Sequence, residues 1–257
     1  MGENVGPMAP APHTGGTRKD PKMRVSPTRL LVGALTIGGM TLGWSGSVAW
    51  AGTSPRQTVK NAISVTESVT SAKIIGEIHE TTQTISLDVS ASMAGVGEGT
   101  IGVGTGLVAV RLVGAKVYFK GNNNFWTQQS NASDAQLFAG KWVDTAATTS
   151  SGKSLAEFLD PTTFFKQFFG SNLNGSKLSK VGTAKVAGKS TVVISGVDNK
   201  TKTTAKIYVA TSGPPYVLKV VIGGAGGHGS LTFSQFNQPV HSVAPSGAID
   251  LDTLAAG

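Results

Sequence analysis

The chain has 257 residues, carries a net charge of +8 and contains no cysteine. Without cysteine it has no thiolate nucleophile, no sulfur ligand for a metal and no thiol to carry a lipid. Its lysines and arginines are scattered along the chain without interleaved aromatic residues, which argues against nucleic acid as a partner.

The first 51 residues have the composition of an export segment. Residues 1–22 are rich in glycine and proline and are predicted to be a disordered or wrongly assigned extension. Residues 23–51 have the pattern of a signal peptide, in which an uncharged apolar run precedes Ala49 and Ala51. These small residues stand at the −3 and −1 positions that signal peptidase requires, so we expect cleavage after Ala51 and export to the envelope or medium.

An uncleaved N-terminal anchor is the alternative. The uncharged run over residues 30–53 is long enough to span a bilayer, although glycine, serine and threonine dilute it. In both cases residues 52–242 are long enough for one domain with a sizeable core. Residues 243–257 are predicted to be a flexible tail.

The first part of this domain reads as one helix followed by strands. Ser54 and Pro55 start a predicted helix over residues 54–69. Over residues 85–93, apolar and polar residues then alternate strictly, which is the period of a strand with one apolar and one polar face. The neighbouring predicted strands are 72–80, 101–112, 115–120 and a short one that begins at 125–127, and a short helix is predicted over 133–140.

Another helix is predicted where five of the ten phenylalanines fall within twelve residues. These are Phe158, Phe164, Phe165, Phe168 and Phe169. Asp160 is a suitable N-cap, Pro161 suits the first helical position, and Gly170 suits the end. Phenylalanines four residues apart stack along a helix and give one broad apolar face. That face must cover either the protein's own sheet or an apolar guest held between helix and sheet.

After this helix the pattern returns to strands. They are predicted over 180–186, 190–195, 203–210, 216–222 and 230–236. Nine or ten mostly antiparallel strands with few helices predict an α+β fold. We expect a large curved antiparallel sheet, half or wholly closed, wrapped around helices on one face.

No motif for catalysis or cofactor binding has the structural context that it needs. Residues 97–102 and 224–229 match the dinucleotide fingerprint by letters, but each leads into a predicted strand instead of a helix. The histidines lack metal-ligand spacing, and the aspartates form no visible pair. We therefore expect no enzyme activity, no cofactor and no metal.

Several segments resemble a known family. Residues 206–210, 216–220 and 229–240, above all the ending Phe-Asn-Gln-Pro-Val, are similar to the actinobacterial lipid-carrying lipoproteins of the LppX/LprA/LprF/LprG type. Leu159-Asp160-Pro161 and the order helix, strands, helices, strands over residues 54–242 also match. The resemblance implies a half-barrel similar to LolA and LolB that encloses an apolar cavity. It also implies binding and transport of acylated lipids or glycolipids without catalysis.

One departure from this family bears on anchoring. Its members are usually lipidated on a cysteine just after the signal peptide, and Thr53 stands at that position here. Threonine cannot form the thioether. We therefore expect a protein that is released as soluble or held by an uncleaved signal segment.

The expected function is that of an exported lipid or glycolipid carrier, monomeric, with membrane contact as a further expectation. The candidate cavity-lining residues, taken from the pattern, are the five phenylalanines above and Leu87, Val89, Val209, Leu218, Val220 and Phe233. The alternative is an envelope sensor of the same fold that binds a protein partner. An envelope hydrolase with an unrecognised acidic site ranks lower.

Overall fold

The computed structural model describes residues 53–169, 177–197, 202–224 and 227–256. The predicted signal peptide, with Ala49 and Ala51, lies outside these residues, as does the predicted helix end at Gly170. The helices and strands are, in chain order, α1 (Pro55–Glu67), β1 (Ser71–Glu80), β2 (Thr84–Ser92), β3 (Val96–Val103), β4 (Gly106–Val113), β5 (Lys116–Gly121), α2 (Asn123–Gln129), α3 (Ala132–Phe138), β6 (Val143–Ala146), α4 (Ser150–Phe158), α5 (Pro161–Phe169), β7 (Ser179–Val186), β8 (Lys189–Val197), β9 (Thr204–Ala210), β10 (Val217–Gly223), β11 (Gly227–Ser234), β12 (Ile249–Asp250) and α6 (Leu251–Ala256).

The twelve strands of the described residues form one open sheet in the order β12-β6-β5-β4-β3-β2-β1-β11-β10-β9-β8-β7. Two antiparallel meanders build it. The first runs outward from β1 to β6, and the second returns from β7 to β11 and pairs with β1 at the centre. The predicted α+β class with a large curved sheet is therefore confirmed. One detail was wrong, since β12 pairs with β6 in parallel.

The core lies on one face of the sheet, because the strands alternate as the sequence predicts. In β2, Ile85, Leu87, Val89 and Ala91 are all buried while the residues between them face outward. Helix α5 contacts both α1 and α4, helix α1 contacts β9 and β10, and helix α4 contacts β5 and β6. Their apolar residues join those of the strands in a single hydrophobic cluster.

Two glycines allow the central strands to approach each other closely. A Cβ on Gly76 of β1 would lie 2.0 Å from the carbonyl oxygen of Ser230, and its φ of 154° disfavours other residues. A Cβ on Gly99 of β3 would lie 2.2 Å from the carbonyl oxygen of Asp88. Without side chains at these positions, the backbones come close enough for the sheet to bend around its helices.

Two predicted elements differ from the structure, and one helix was not predicted. The strand predicted at 125–127 is wrong, because Asn122 accepts a hydrogen bond from Phe125 N at 2.8 Å and caps helix α2 instead. The strand predicted over 101–112 is two strands, divided by a turn in which Gly104 has a φ of 58°. Helix α4 was not predicted at all.

The C-terminal segment 243–257, for which the sequence predicts a flexible tail, contains β12 and α6. The ammonium of Lys116 lies 2.5 Å from Asp144 and 3.0 Å from Asp250. Asp252 accepts hydrogen bonds from Thr145 Oγ1 at 2.6 Å and from Ala146 N at 2.8 Å. The bonds of Asp250 and Asp252 attach the segment to the β5–β6 edge, and they join residues that are more than a hundred positions apart in sequence.

None of the helices within the described residues is long and apolar enough to cross a membrane.

Candidate functional site

Helix α5 begins as its sequence predicts. The Asp160 carboxylate accepts a hydrogen bond from Thr162 N at 2.9 Å and another from Thr163 Oγ1 at 2.7 Å. Pro161 occupies the first helical position, where its missing N–H leaves no bond unmade. The cap fixes where the helix starts and therefore which side chains share its apolar face.

The predicted stacking along α5 is confirmed. The rings of Phe164 and Phe168 stack with centroids 5.9 Å apart, and those of Phe165 and Phe169 at 5.8 Å. Phe233 of β11 rises from the sheet between them and meets Phe165 edge-to-face at 5.2 Å. It also meets Phe168 at 5.8 Å and Phe169 at 5.9 Å. We call these four helix rings and Phe233 the phenylalanine cluster.

The structure brings all eleven predicted lining residues into one apolar cluster. None of them is more than 6% exposed. On the sheet, Phe233 pairs across the strands with Ile74, and Ile74 pairs with Val89. Two residues further along β1, Gly76 pairs with Leu87 on one side and with Leu231 on the other, and Leu231 pairs with Val220. The predicted residues therefore lie on two facing surfaces. We call the phenylalanines on the helices the roof and the apolar side chains on the strands the floor.

Helix α5 and helix α1 are attached to the sheet in different ways. The buried Thr66 of α1 accepts a hydrogen bond from Val217 N of β10 at 2.9 Å, so this helix is fixed to the strand. From α5, no hydrogen bond to a strand occurs within the described residues. Its contact with Phe233 consists of aromatic rings, which pack without directional bonds.

The space between α5 and the sheet is filled by the phenylalanine rings themselves. Phe165 is completely buried, and Phe233 is 1% exposed. An acyl chain could enter here only by displacing these rings as the helix moves away from the sheet. The apolar cavity that the family resemblance implies stays a prediction.

The apolar floor continues toward the far end of the strands and becomes partly exposed there. Ile78 pairs with Ile85 and Gly229, Ile85 pairs with Val103, and Gly229 pairs with Ile222. Ile78, Val103 and Ile222 pack against the core but remain partly accessible to solvent. A Cβ on Gly229 would lie 2.2 Å from the Glu77 carbonyl oxygen. We call this row the apolar rim, and it is a candidate entrance to the interior.

A second aromatic group lies at β5, and the sequence reading missed it. Trp126 contacts Phe119 with centroids 5.6 Å apart, Phe125 at 5.5 Å and Phe138 at 5.1 Å. We call these four residues the tryptophan cluster. Trp126 is 1% exposed, and its Nε1 has no hydrogen-bond partner among the described residues. An asparagine at the N-cap position before Phe125 is the sequence signal that could have located it.

One half-buried carboxyl group lies at the end of α1. Burial raises the pKa of Glu67 above its ordinary value, and the positive charge of Lys166 on α5 partly opposes this rise. Helices α1 and α5 are in contact, so Glu67 and Lys166 lie where these two helices meet.

A polar cleft of about 100 Å³ lies where the chain leaves β11. Ser90, Glu98, Gln235 and His241 are among the residues that line it. It is smaller than the roughly 300–1,000 Å³ typical of small-molecule sites, and its lining is mainly polar. Within the described residues, no group of three or more His, Asp or Glu side chains could hold a metal ion.

Comparisons with known proteins give a likeness of fold. No protein-family model matches the sequence, and no curated protein matches it. The structure of LprF from Mycobacterium bovis superposes with a TM-score of 0.53 at 14% identity, over 75% of this chain and 97% of that one. The chain therefore resembles the LppX/LprF proteins in fold.

Two further structures are more distant. The Mycobacterium tuberculosis lipoprotein LppX matches with a TM-score of 0.46 at 18% identity, over 72% of this chain and 95% of that one. The LolA superfamily protein NE2245 from Nitrosomonas europaea matches with a TM-score of 0.24 at 7% identity, over 75% of this chain and 96% of that one. Both superpositions fall below the level that supports an argument.

Proposed function

We propose that the protein is an exported carrier, and not an enzyme, that holds the acyl chain of a lipid between α5 and the centre of the sheet. One observation carries the proposal. Helix α5 presents its phenylalanines to the floor through ring contacts alone, without a hydrogen bond to a strand in the described part of the chain. A roof held in this way can separate from its floor without leaving a buried polar group unpaired.

An acyl chain can replace the contacts that the rings lose. Burial of apolar surface is non-directional, so methylenes can substitute for aromatic carbons against Ile74, Val89 and Leu231. Each buried methylene contributes about 0.8 kcal/mol, and a chain of about fifteen carbons would bind tightly even after ordering costs are subtracted. The apolar rim at Ile78, Val103 and Ile222 supplies an accessible start for this exchange.

The likeness in fold to LprF supports the proposal as an analogy, because the family that the sequence resembles carries lipids. The headgroup, the donor and the acceptor are not part of the proposal. Export is proposed from the signal pattern of residues 23–51, and N-terminal sequencing of the released protein would test cleavage after Ala51.

The direct test is mass spectrometry of lipids extracted from the natively exported protein. We expect acylated lipid in about equimolar amount and loss of this lipid in Phe168→Asp, because a carboxylate on the roof is incompatible with an acyl chain beside it. Leu137→Asp is the matched control, since Leu137 is 56% exposed and its change adds the same charge outside the core.

Secretion and folding of both variants are followed by circular dichroism. A folded Phe168→Asp protein that keeps its lipid would refute the proposed position of the site. A wild-type protein that yields no lipid from any host, and that binds no added fatty acid, would refute the carrier function. A protein recovered in place of a lipid would favour the sensor alternative.

A further inference from the structure

Charge is distributed very unequally between the two parts of the domain. Residues 54–160 contain eight Lys and Arg and nine Asp and Glu, a net charge of −1. Residues 177–224, which supply β7 to β10, contain eight lysines and one acidic residue, Asp198, a net charge of +7. Although the basic residues are scattered along the chain, the segment that forms these four neighbouring strands and their connections holds eight of the seventeen in residues 54–257.

Most of these lysines are exposed, and none of them forms an ion pair within the described residues. Six of the eight are exposed, namely Lys177, Lys180, Lys185, Lys189, Lys202 and Lys206. The seventh, Lys219, is half-buried, and Lys200 lies outside the described residues. The ion pairs found in the described residues all lie elsewhere, at Lys73, His79, Arg111 and Lys116. The β7–β10 side therefore carries a positive potential without neutralising carboxylates in the described ranges.

Protection of the sheet edge explains only some of these charges. Lysine on an outermost strand discourages pairing with another chain, and Lys180 and Lys185 of β7 can serve that purpose. Lys206 and Lys219 lie on β9 and β10, which are paired on both sides. There they alternate with buried apolar residues and so project from the face opposite the core. They need another explanation.

Two exposed apolar side chains accompany the lysines. The register of β7 shifts between Lys180 and Gly182, which leaves Val181 as the extra residue of a bulge, 54% exposed. Val197 at the end of β8 is 39% exposed. Lysines beside accessible apolar groups fit the boundary between headgroups and acyl chains, where charge is attracted and apolar groups insert.

The type of basic residue indicates the kind of partner. All eight basic residues of this region are lysines, and none is arginine. Protein interfaces are enriched in arginine and depleted in lysine, because the guanidinium makes paired bonds to fixed carboxylates. A lysine is a mobile point charge, which suits a fluid array of phosphates. We propose that the β7–β10 side of the sheet is the surface by which this protein docks on an anionic lipid membrane.

The test is partitioning of the exported protein onto vesicles of phosphatidylcholine with and without about a third of phosphatidylglycerol. The variant K189E/K206E/K219E reverses three charges on the sheet face opposite the core. The matched control K60E/K141E/K153E reverses three exposed lysines elsewhere and changes the net charge equally. At about 1 kcal/mol per lysine near an anionic surface, we expect the first variant to lose about a hundredfold or more in partitioning. The control should remain within about threefold of wild type.

Salt and lipid controls complete the experiment. Raising ionic strength from about 0.1 M to about 0.5 M should abolish most of the wild-type partitioning, because the Debye length shortens. Val181→Ser should lower partitioning several-fold without changing charge.

Equal losses in the two triple variants, or wild-type binding that is the same on neutral vesicles, would overturn the proposal. Binding to soluble polyglutamate without binding to anionic vesicles would overturn it in favour of an acidic macromolecule.

The docking surface is separate from the interior, so its test does not depend on the carrier function. K189E/K206E/K219E should retain as much co-purified lipid as the wild type. Absence of lipid from both proteins would count against the carrier proposal alone, and loss of vesicle partitioning would still be measurable.

Discussion

The phenylalanine cluster and the tryptophan cluster are both buried aromatic groups, but they are attached to the sheet differently. In the tryptophan cluster, the cap of helix α2 is bonded to β4 and to the turn before it: Asn122 accepts from Leu107 N at 3.1 Å and donates to Thr105 O at 3.1 Å. Gln128 adds a bond to Thr105 Oγ1 at 3.2 Å. In the phenylalanine cluster, α5 meets the strand through rings. Polar attachment fixes the tryptophan cluster to the sheet. No hydrogen bond from α5 to a strand occurs in the described part of the chain, and under our proposal the phenylalanine cluster is therefore the one that can move.

The largest expected effect on stability comes from removing one buried ring from each cluster, which leaves a cavity. Phe165→Ala and Phe119→Ala each remove a completely buried ring, so each should lower the free energy of unfolding by about 3–5 kcal/mol. A long-chain fatty acid should restore much of the stability of Phe165→Ala, because the ligand binds only the folded state and fills the vacated space. It should not restore Phe119→Ala. Thermal unfolding with and without fatty acid measures both, and equal rescue of the two variants would contradict the comparison.

The two helix caps provide a smaller and sharper test. Asn122→Ala removes the α2 cap together with one bond to β4 and one to the turn before it, so we expect a loss of about 2–3 kcal/mol in the free energy of unfolding. Asp160→Ala removes the α5 cap, with an expected loss of about 1 kcal/mol. Only Asp160→Ala should accelerate the exchange of bound fatty acid, measured by transfer of a fluorescent analogue to vesicles. Faster exchange in Asn122→Ala would indicate that α2 moves as well.

The smallest expected effect is a change of stability with pH, caused by Glu67 where α1 contacts α5. Because burial raises the pKa of Glu67, the folded state binds its proton more tightly than the unfolded state does. Stability should therefore decrease as pH rises from the ordinary value of 4.5 through the raised pKa. Glu67→Gln removes this loss.

The variant should accordingly melt at a higher temperature than wild type at pH 7 and at a similar temperature near pH 4. Calorimetry at the two pH values measures the difference, with Glu157→Gln as a control on the neighbouring helix α4. A lower melting temperature for Glu67→Gln at pH 7 would mean that attraction to Lys166 outweighs the cost of burial.

Much of the fold and of the proposed site follows from local signals. Strict alternation over residues 85–93 identified a strand of the core, and Asp160-Pro161 located the start of α5 within one residue. The stacked phenylalanine pairs follow from a spacing of four residues, which depends only on helix geometry. Helix α2 was missed because aromatic and β-branched residues at 125–127 favour a strand, whereas a single asparagine cap decided otherwise.

The sequence by itself determined the apolar strands, the phenylalanine helix and the excess of lysine, because period, capping and composition act over a few residues. Only the tertiary structure decided that β11 brings Phe233 beneath α5, that β12 pairs with β6, and that four lysine-rich strands lie side by side. Each of these depends on contacts between distant parts of the chain, such as Thr145 with Asp252. The attachment of α5 to the sheet, by hydrogen bonds or by ring contacts alone, also depends on contacts between distant residues. The proposed function depends on this attachment.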